Sequence, residues 1–237
     1  MLVAGLAALL APTAWAASYY VATSGSDLSN GEWLASPFRT IQKAMDTAIA
    51  GDTVFVLGGV YREQIEVRRG GGVAGNPVRL QNYNGELAVI KGSTVVTNWV
   101  LHSGNIWKRT GWTVNSQQVF VDFNDAAPTA GPKPLQQIGM PSAYYGAWEY
   151  NAPVGSGVSS MIAGSFYYDA AGTTLYVWLA DGSNPNNHAM EASVRKRLLF
   201  MGRPYIAVQG LAFRHSNSSA SMQQGAAVEL SSYSSLH

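Results

Sequence analysis

Residues 36–67 read SPFRTIQKAMDTAIAGDTVFVLGGVYREQIEV, and the periodicity of this stretch changes half-way. In its first half Ile41, Ala44, Met45, Ala48 and Ile49 recur at i, i+3, i+4, i+7 and i+8, the spacing that puts apolar side chains on one helix face. Ser36 is a favourable N-cap and Pro37 suits a first helical position, so the pattern predicts a helix from Pro37 to Ala48 that ends by Gly51. In the second half Thr53–Val56 and Ile65–Val67 are short apolar runs separated by glycine, which read as strands. No other stretch as long keeps a period of 3.6, so the remainder is expected to be strands and turns.

Further strands are expected at Val78–Gln81 and Val89–Lys91, and later at Ile206–Val208 and Val228–Leu230. Val54 to Val78 and Ile65 to Val89 are both 24 residues, and Ile206 to Val228 is 22. A fixed period of this size points to a solenoid whose rungs share one core. Spacing alone also admits an antiparallel sandwich, which has strands every 8 to 12 residues. Residues 97–200 depart from the rhythm and concentrate aromatics: Trp99, Trp107, Trp112, Tyr144, Tyr145, Trp148, Tyr150, Tyr167, Tyr168, Tyr176 and Trp178. Ser165–Tyr168 and Leu175–Leu179 flank the turn-forming DAAGTT as a hairpin would. This region reads as a β-rich insertion on the solenoid, with its aromatics forming a small core rather than a ligand platform.

Composition agrees and excludes other classes. Only 12% of the 237 residues are charged and 47% are hydrophobic, which excludes a disordered chain; 25 glycines suit many turns. With 15 Lys and Arg against 14 Asp and Glu the net charge is +1, so no long-range field gathers nucleic acid or an anionic membrane. The absence of cysteine removes disulfides, zinc–thiolate sites and cysteine nucleophiles. An apolar run from Leu2 to Ala11 followed by Ala14-Trp15-Ala16 predicts a signal peptide over 1–16, and the run is too short to span a bilayer. A secreted or periplasmic location follows.

Most motifs have a bland reading that outweighs the chemical one. Gly70–Gly75 satisfies G-x-G-x-x-G but precedes a strand, not the helix that a pyrophosphate requires, so it reads as a turn between rungs. Asp27, Asn30 and Glu32 on one loop bring oxygens together, yet turn formation accounts for them equally well, and no metal ligand is assigned. Arg195-Lys196-Arg197 offers a face to an acidic polymer, though such a run ordinarily forms a solvated face. No catalytic residue is identified: there is no G-x-S-x-G or H-E-x-x-H, and the acids show no pairing in sequence.

The segment 19–67, with Ser36-Pro37-Phe38, Thr40-Ile41-Gln42, Gly51-Asp52-Thr53-Val54 and Gly59–Glu63, resembles the N-terminal portion of secreted right-handed parallel β-helix proteins of the pectate-lyase-like superfamily. GSFYYDAAGTTLYVWLADGSNPN and YIAVQGLAFRHSN are similar to the insertion and the re-entry into the helix in the same group. The resemblance implies an all-β fold: a right-handed parallel β-helix with an N-terminal capping α-helix and a β-rich insertion. Its divisions would be a signal peptide over 1–16, capped rungs over 17–96, the insertion over 97–200 and further, truncated rungs over 201–237. It also implies a polysaccharide lyase acting on uronate polymers such as pectate, in which calcium acidifies the C5 proton and Lys or Arg removes it. Here the calcium and the base would come from residues beyond the chain, which stops in mid-rhythm at His237 and reads as an N-terminal fragment. In isolation residues 17–237 are expected to be poorly soluble or oligomeric, and the full-length protein monomeric. A non-catalytic carbohydrate-binding or cell-surface module and a glycoside hydrolase on the same scaffold are the alternatives. Arg214 and His215 follow an apolar strand and are placed, as substrate-binding residues, toward a groove; Asn217 is expected to be structural.

Overall fold

A computed structural model describes residues 15–128, 134–139, 155–218 and 226–230. The chain opens with β1 (Ser18–Val21), followed by α1 (Ile41–Thr47), β2 (Thr53–Val56), β3 (Gly59–Tyr61), β4 (Ile65–Val67), β5 (Val78–Asn82) and β6 (Ala88–Lys91). An excursion then carries β7 (Ser93–Val95), β8 (Val100–Ser103), β9 (Ile106–Thr110), β10 (Val119–Val121), β11 (Gln136–Ile138), β12 (Ser165–Asp169), β13 (Thr174–Trp178) and β14 (Met190–Ser193). The solenoid resumes with β15 (Leu199–Met201), β16 (Ile206–Gln209), β17 (Leu211–Arg214) and β18 (Val228–Leu230).

Three wholly parallel sheets form the solenoid. The first has the order β1-β2-β5-β16, the second β3-β6-β17 and the third β4-β15-β18, so each turn of chain visits the three sheets in succession. Alternate residues point inward, and Val21, Val54, Val56, Ile65, Leu80, Ile90 and Leu199 are fully buried in one continuous core. Each such aliphatic side chain contributes about 1.5–3 kcal/mol through removal from water.

The register corrects the spacing argument. Val54 pairs with Leu80, 26 residues on, and Val60 with Val89, 29 residues on, whereas Ile65 lies in a different sheet from Val89 and pairs with Leu199. Ile206 and Val228 likewise belong to different sheets. The interval from Val54 to Val78 thus joins paired strands of one sheet, two residues short of the true register, whereas that from Ile65 to Val89 crosses between sheets; the corners differ in length, with Leu57-Gly58 between β2 and β3, residues 83–87 between β5 and β6, and Gly210 alone between β16 and β17.

The helix also begins later than its sequence suggests. Its N-cap is Thr40, whose Oγ1 accepts from Lys43 N, and not Ser36. Phe38 is extended and forms a parallel bridge with Val21, which removes Pro37 and Phe38 from the helix. Carboxylates finish the N-terminus: Asp27 accepts from the amides of Arg39 and Thr40, and Glu63 from those of Ile41 and Gln42. Asp27 is thus consumed as a cap, while Asn30 and Glu32 bond to each other. Ile41, Ala44, Met45 and Ala48 face the core as expected; Ile49 is 55% exposed because the helix has ended. The helix packs on β1, β2 and β4 at the first-rung end of the solenoid.

The excursion forms two sheets of its own, β10-β14-β7 and β11-β12-β13-β9-β8, around a separate core of Val96, Trp99, Val119, Phe166, Leu175, Val177, Leu179, Met190 and Ala192. The hairpin read at DAAGTT is present, with Asp169 opposite Thr174. Trp99 lies inside this core, and Trp107, Trp112 and Tyr168 pack against it. Tyr144, Tyr145, Trp148 and Tyr150 lie outside the described residues, as do residues 1–14 of the expected signal peptide and the terminal Ser234–His237.

Candidate functional site

The strands of the second sheet share an ending. Val60-Tyr61-Arg62, Val89-Ile90-Lys91 and Ala212-Phe213-Arg214 each place a basic residue after the strand's apolar residues, and the register sets Arg62, Lys91 and Arg214 side by side on successive rungs. Rungs of a sheet are about 4.8 Å apart, so three adjacent cations repel unless carboxylates intervene. The insertion supplies them. Glu191 on β14 reaches Arg62 Nη2 at 2.6 Å and Lys91 Nζ at 2.9 Å; Asp125 reaches Lys91 Nζ at 2.7 Å and Arg214 Nη1 at 3.1 Å. The result is an alternating chain, Arg62–Glu191–Lys91–Asp125–Arg214, with every cation from the solenoid and both carboxylates from the insertion. Lys91 is completely buried and also lies 5.1 Å from the centroid of the Phe123 ring.

His215 closes this layer. Its ring stacks on Phe120 at 3.6 Å between centroids and meets the edge of Phe123 at 4.3 Å. Ser93 Oγ donates to Glu191 at 2.7 Å, which leaves His215 Nδ1 to donate toward Ser93 Oγ at 3.2 Å and Glu191 at 3.4 Å. Nε2 is buried with no hydrogen-bond partner among the described residues. The backbone is built for the contact: Gly92 lies so close to the carbonyl of His215 that a Cβ would be 2.4 Å from that oxygen. Asn217 ties the same turn to the insertion, accepting from Gln117 N and Ser193 Oγ and donating to Asn115 O.

Arg214 and His215 are therefore brought together with Lys91, Asp125 and Glu191, but beneath the insertion. The His215 side chain is only 5% exposed, so it does not face an open groove. Sequence reasoning did not single out Lys91, Arg62, Asp125 or Glu191; the repeated basic residue after three apolar strands was the available signal. Of the basic run, Lys196 is exposed, Arg197 bridges Glu66 and Glu229 and packs on Phe200, and Arg195 donates to Ser93 O at 3.2 Å.

Burial by itself would raise the Glu191 carboxyl, but hydrogen bonds from His215, Arg62, Ser93 and Lys91 outweigh it and hold Glu191 far below the usual carboxylate range. Burial pulls the His215 imidazole below its ordinary 6.5, more strongly than Glu191 pushes it up. Acidification should therefore act in two stages. The unfolded chain takes up the imidazole proton first, so stability falls as pH drops below about 6.5. The stability due to Glu191 is complete above about 4.3, its unfolded value, and is lost as pH falls below that. His215→Asn should abolish the first stage and keep the second in melting curves recorded against pH; an unchanged wild-type melting temperature between pH 7 and 5 would contradict this.

Among the described residues, no group of three or more His, Asp or Glu side chains is arranged to hold a metal ion. Asp125 and Glu191 are committed to cations, and Asp27 and Glu63 to the helix terminus. These residues do not fit the calcium centre that the resemblance implies.

Residues 19–126 match the family model described as Pel9A-like, right-handed β-helix region. Pectate lyase PEL9 of Emericella nidulans is 38% identical over 87 residues, 36% of this chain and 21% of that protein. The chain has a right-handed parallel β-helix fold, similar to that of pectate-lyase-like proteins. YwoF of Bacillus subtilis, an uncharacterised protein, is 40% identical to this β-helix protein over 76 residues, 32% of this chain and 16% of YwoF. XylC, solved with xylose, superposes on this β-helix chain with a TM-score of 0.62 at 22% identity, covering 86% of this chain and 36% of XylC. A structure described as a glycoside hydrolase gives 0.59 at 13% identity, covering 85% and 51%. These two structures share the fold. The matches thus span about a fifth or less of the curated relatives and about half or less of the solved chains.

Proposed function

We propose that this chain is part of an exported protein that acts on acidic polysaccharide, cleaving a uronate polymer such as pectate by β-elimination. The likeness to pectate lyase PEL9 carries the reading. In such a reaction a base takes the C5 proton of a uronate, the C4–O bond to the leaving sugar breaks and a C4–C5 double bond forms. The described residues suit binding better than that chemistry. Lys91 is buried and ion-paired, so it is not a free base, and among the described residues no group of His, Asp and Glu side chains is arranged to hold calcium.

A basic corner between the second and third sheets supports the choice of an acidic polymer. Arg62, Lys91, Arg195 and Arg214 meet two carboxylates there, Asp125 and Glu191, which leaves positive charge in excess. A glycoside hydrolase needs a carboxylic acid held protonated; burial raises the Glu63 carboxyl, but both its oxygens accept from the amides of Ile41 and Gln42 at the helix terminus. A non-catalytic binding module is the second reading, favoured by the commitment of buried Lys91 to Asp125 and Glu191.

Affinity electrophoresis of the 237-residue chain through gels containing polygalacturonate, methyl-esterified pectin or xylan tests the proposal. Retardation is expected with polygalacturonate and should weaken with salt and with esterification. Unsaturated uronate products would assign a lyase, and chelator-insensitive binding without products the binding module. Equal mobility in all three gels would overturn an acidic-polymer function.

A further inference from the structure

Arg62 and Arg195 converge on one acceptor, the carbonyl of Ser93, at 3.1 and 3.2 Å. Arg62 spends its second terminal nitrogen on Glu191. Arg195 has no carboxylate partner among the described residues, which include every acid of the chain except Glu149. Its backbone is fixed nonetheless: its amide donates to Gly92 O and its carbonyl accepts from Asn217. A half-buried guanidinium is held in place beside a second one, short of a counter-charge. We propose that Arg195, with Arg62 beside it, is a carboxylate-binding subsite for the uronate units of an acidic polysaccharide.

The geometry suits the ligand. A planar guanidinium takes a carboxylate through two parallel N–H donors, and among the described residues only Nη1 of Arg195 is engaged, by a neutral carbonyl. Arg62 retains 27% side-chain exposure, so the pair is reachable from solvent, unlike buried Lys91. Exposed Lys196 adds a further cation next in the chain. Burial first, and then repulsion from Arg62, pull the Arg195 guanidinium below its ordinary range, and the more distant Glu63 carboxylate, spent on the helix terminus, offsets this only in part.

This inference rests on the acidic-polymer reading, and calorimetric titration of the 237-residue chain with oligogalacturonate separates the two. Arg195→Gln should weaken binding about 10- to 100-fold, the effect of losing a charge-assisted pair, and Arg195→Lys should recover part of it. Fully methyl-esterified oligogalacturonate should bind the wild type as weakly as the free acid binds Arg195→Gln. The melting temperature should stay within about a degree, since the substitution also relieves repulsion at Arg62.

Wild-type affinity in Arg195→Gln would overturn the subsite while leaving the acidic-polymer function standing. No binding of oligogalacturonate by the wild type would overturn both. A sulfated neutral oligosaccharide that bound as tightly, with the same dependence on Arg195, would overturn the uronate assignment.

Discussion

Glu191→Gln is expected to destabilise the protein by about 3–5 kcal/mol, the usual cost of breaking a buried ion pair from one side. The substitution keeps the shape of the side chain and removes one charge. Arg62 then loses its carboxylate, and fully buried Lys91 keeps Asp125 alone. Ser93 and His215 lose the anion toward which both donate. The loss lies in the uncompensated charge, so Lys91→Met/Glu191→Met should cost less than the sum of its single substitutions. Urea unfolding of the four proteins measures this coupling. A Glu191→Gln penalty below about 1 kcal/mol would mean that water reaches the chain of charges and screens it.

Phe38→Ala should cost a similar amount, about 3–5 kcal/mol, through the cavity left by a fully buried ring. Phe38 stands where the 22–40 loop, β1 and the start of α1 meet. Its amide donates to Tyr20 O, its carbonyl accepts from Ala22 N, and its ring lies against Tyr19 with centroids 6.0 Å apart. Gly31, at a φ of 73°, makes room for it: a Cβ there would come within 2.2 Å of the ring. Phe38→Leu refills part of the space and should recover more than half of the loss. Equal penalties for the two substitutions would show that the aromatic shape, not the volume, is what the end of the solenoid requires.

Architecture was readable from sequence where the information is local. The apolar face of α1 and the hairpin between β12 and β13 depend on residues a few positions apart, and both are as expected. The helix start was not, because Thr40 is selected over Ser36 by Asp27, 13 residues earlier, and by Glu63, 23 residues later. Strand positions were legible as apolar runs, but their stacking was legible only for β2 on β5, because corner lengths vary from rung to rung and the excursion separates β4 from β15. The candidate site was the least legible. Lys91 ends the run Ala88–Lys91 in sequence like any solvated strand terminus, and its burial depends on Asp125 and Glu191, 34 and 100 residues away. Arg214 and His215 stand out in sequence by their place after a strand, but Asp125, Phe120 and Phe123, which cover them, come from the insertion about 90 residues earlier.

The excursion from Ser93 to Leu198 interrupts a rung after its second side, and β15 supplies the third side only after the whole excursion has been made. A plain solenoid grows rung upon rung through neighbours close in sequence. Here β4 must find a partner 134 residues away, from Ile65 to Leu199, before the next rung has a template. Closing so long a loop carries an entropic cost that falls on the order of assembly. The insertion, with its own core, can form first, and the salt-bridged seam then acts as the clasp that brings the two ends of the broken rung together. The charges of Glu191 and Asp125 thereby set when the later coils can wind, as well as how firmly they stay wound.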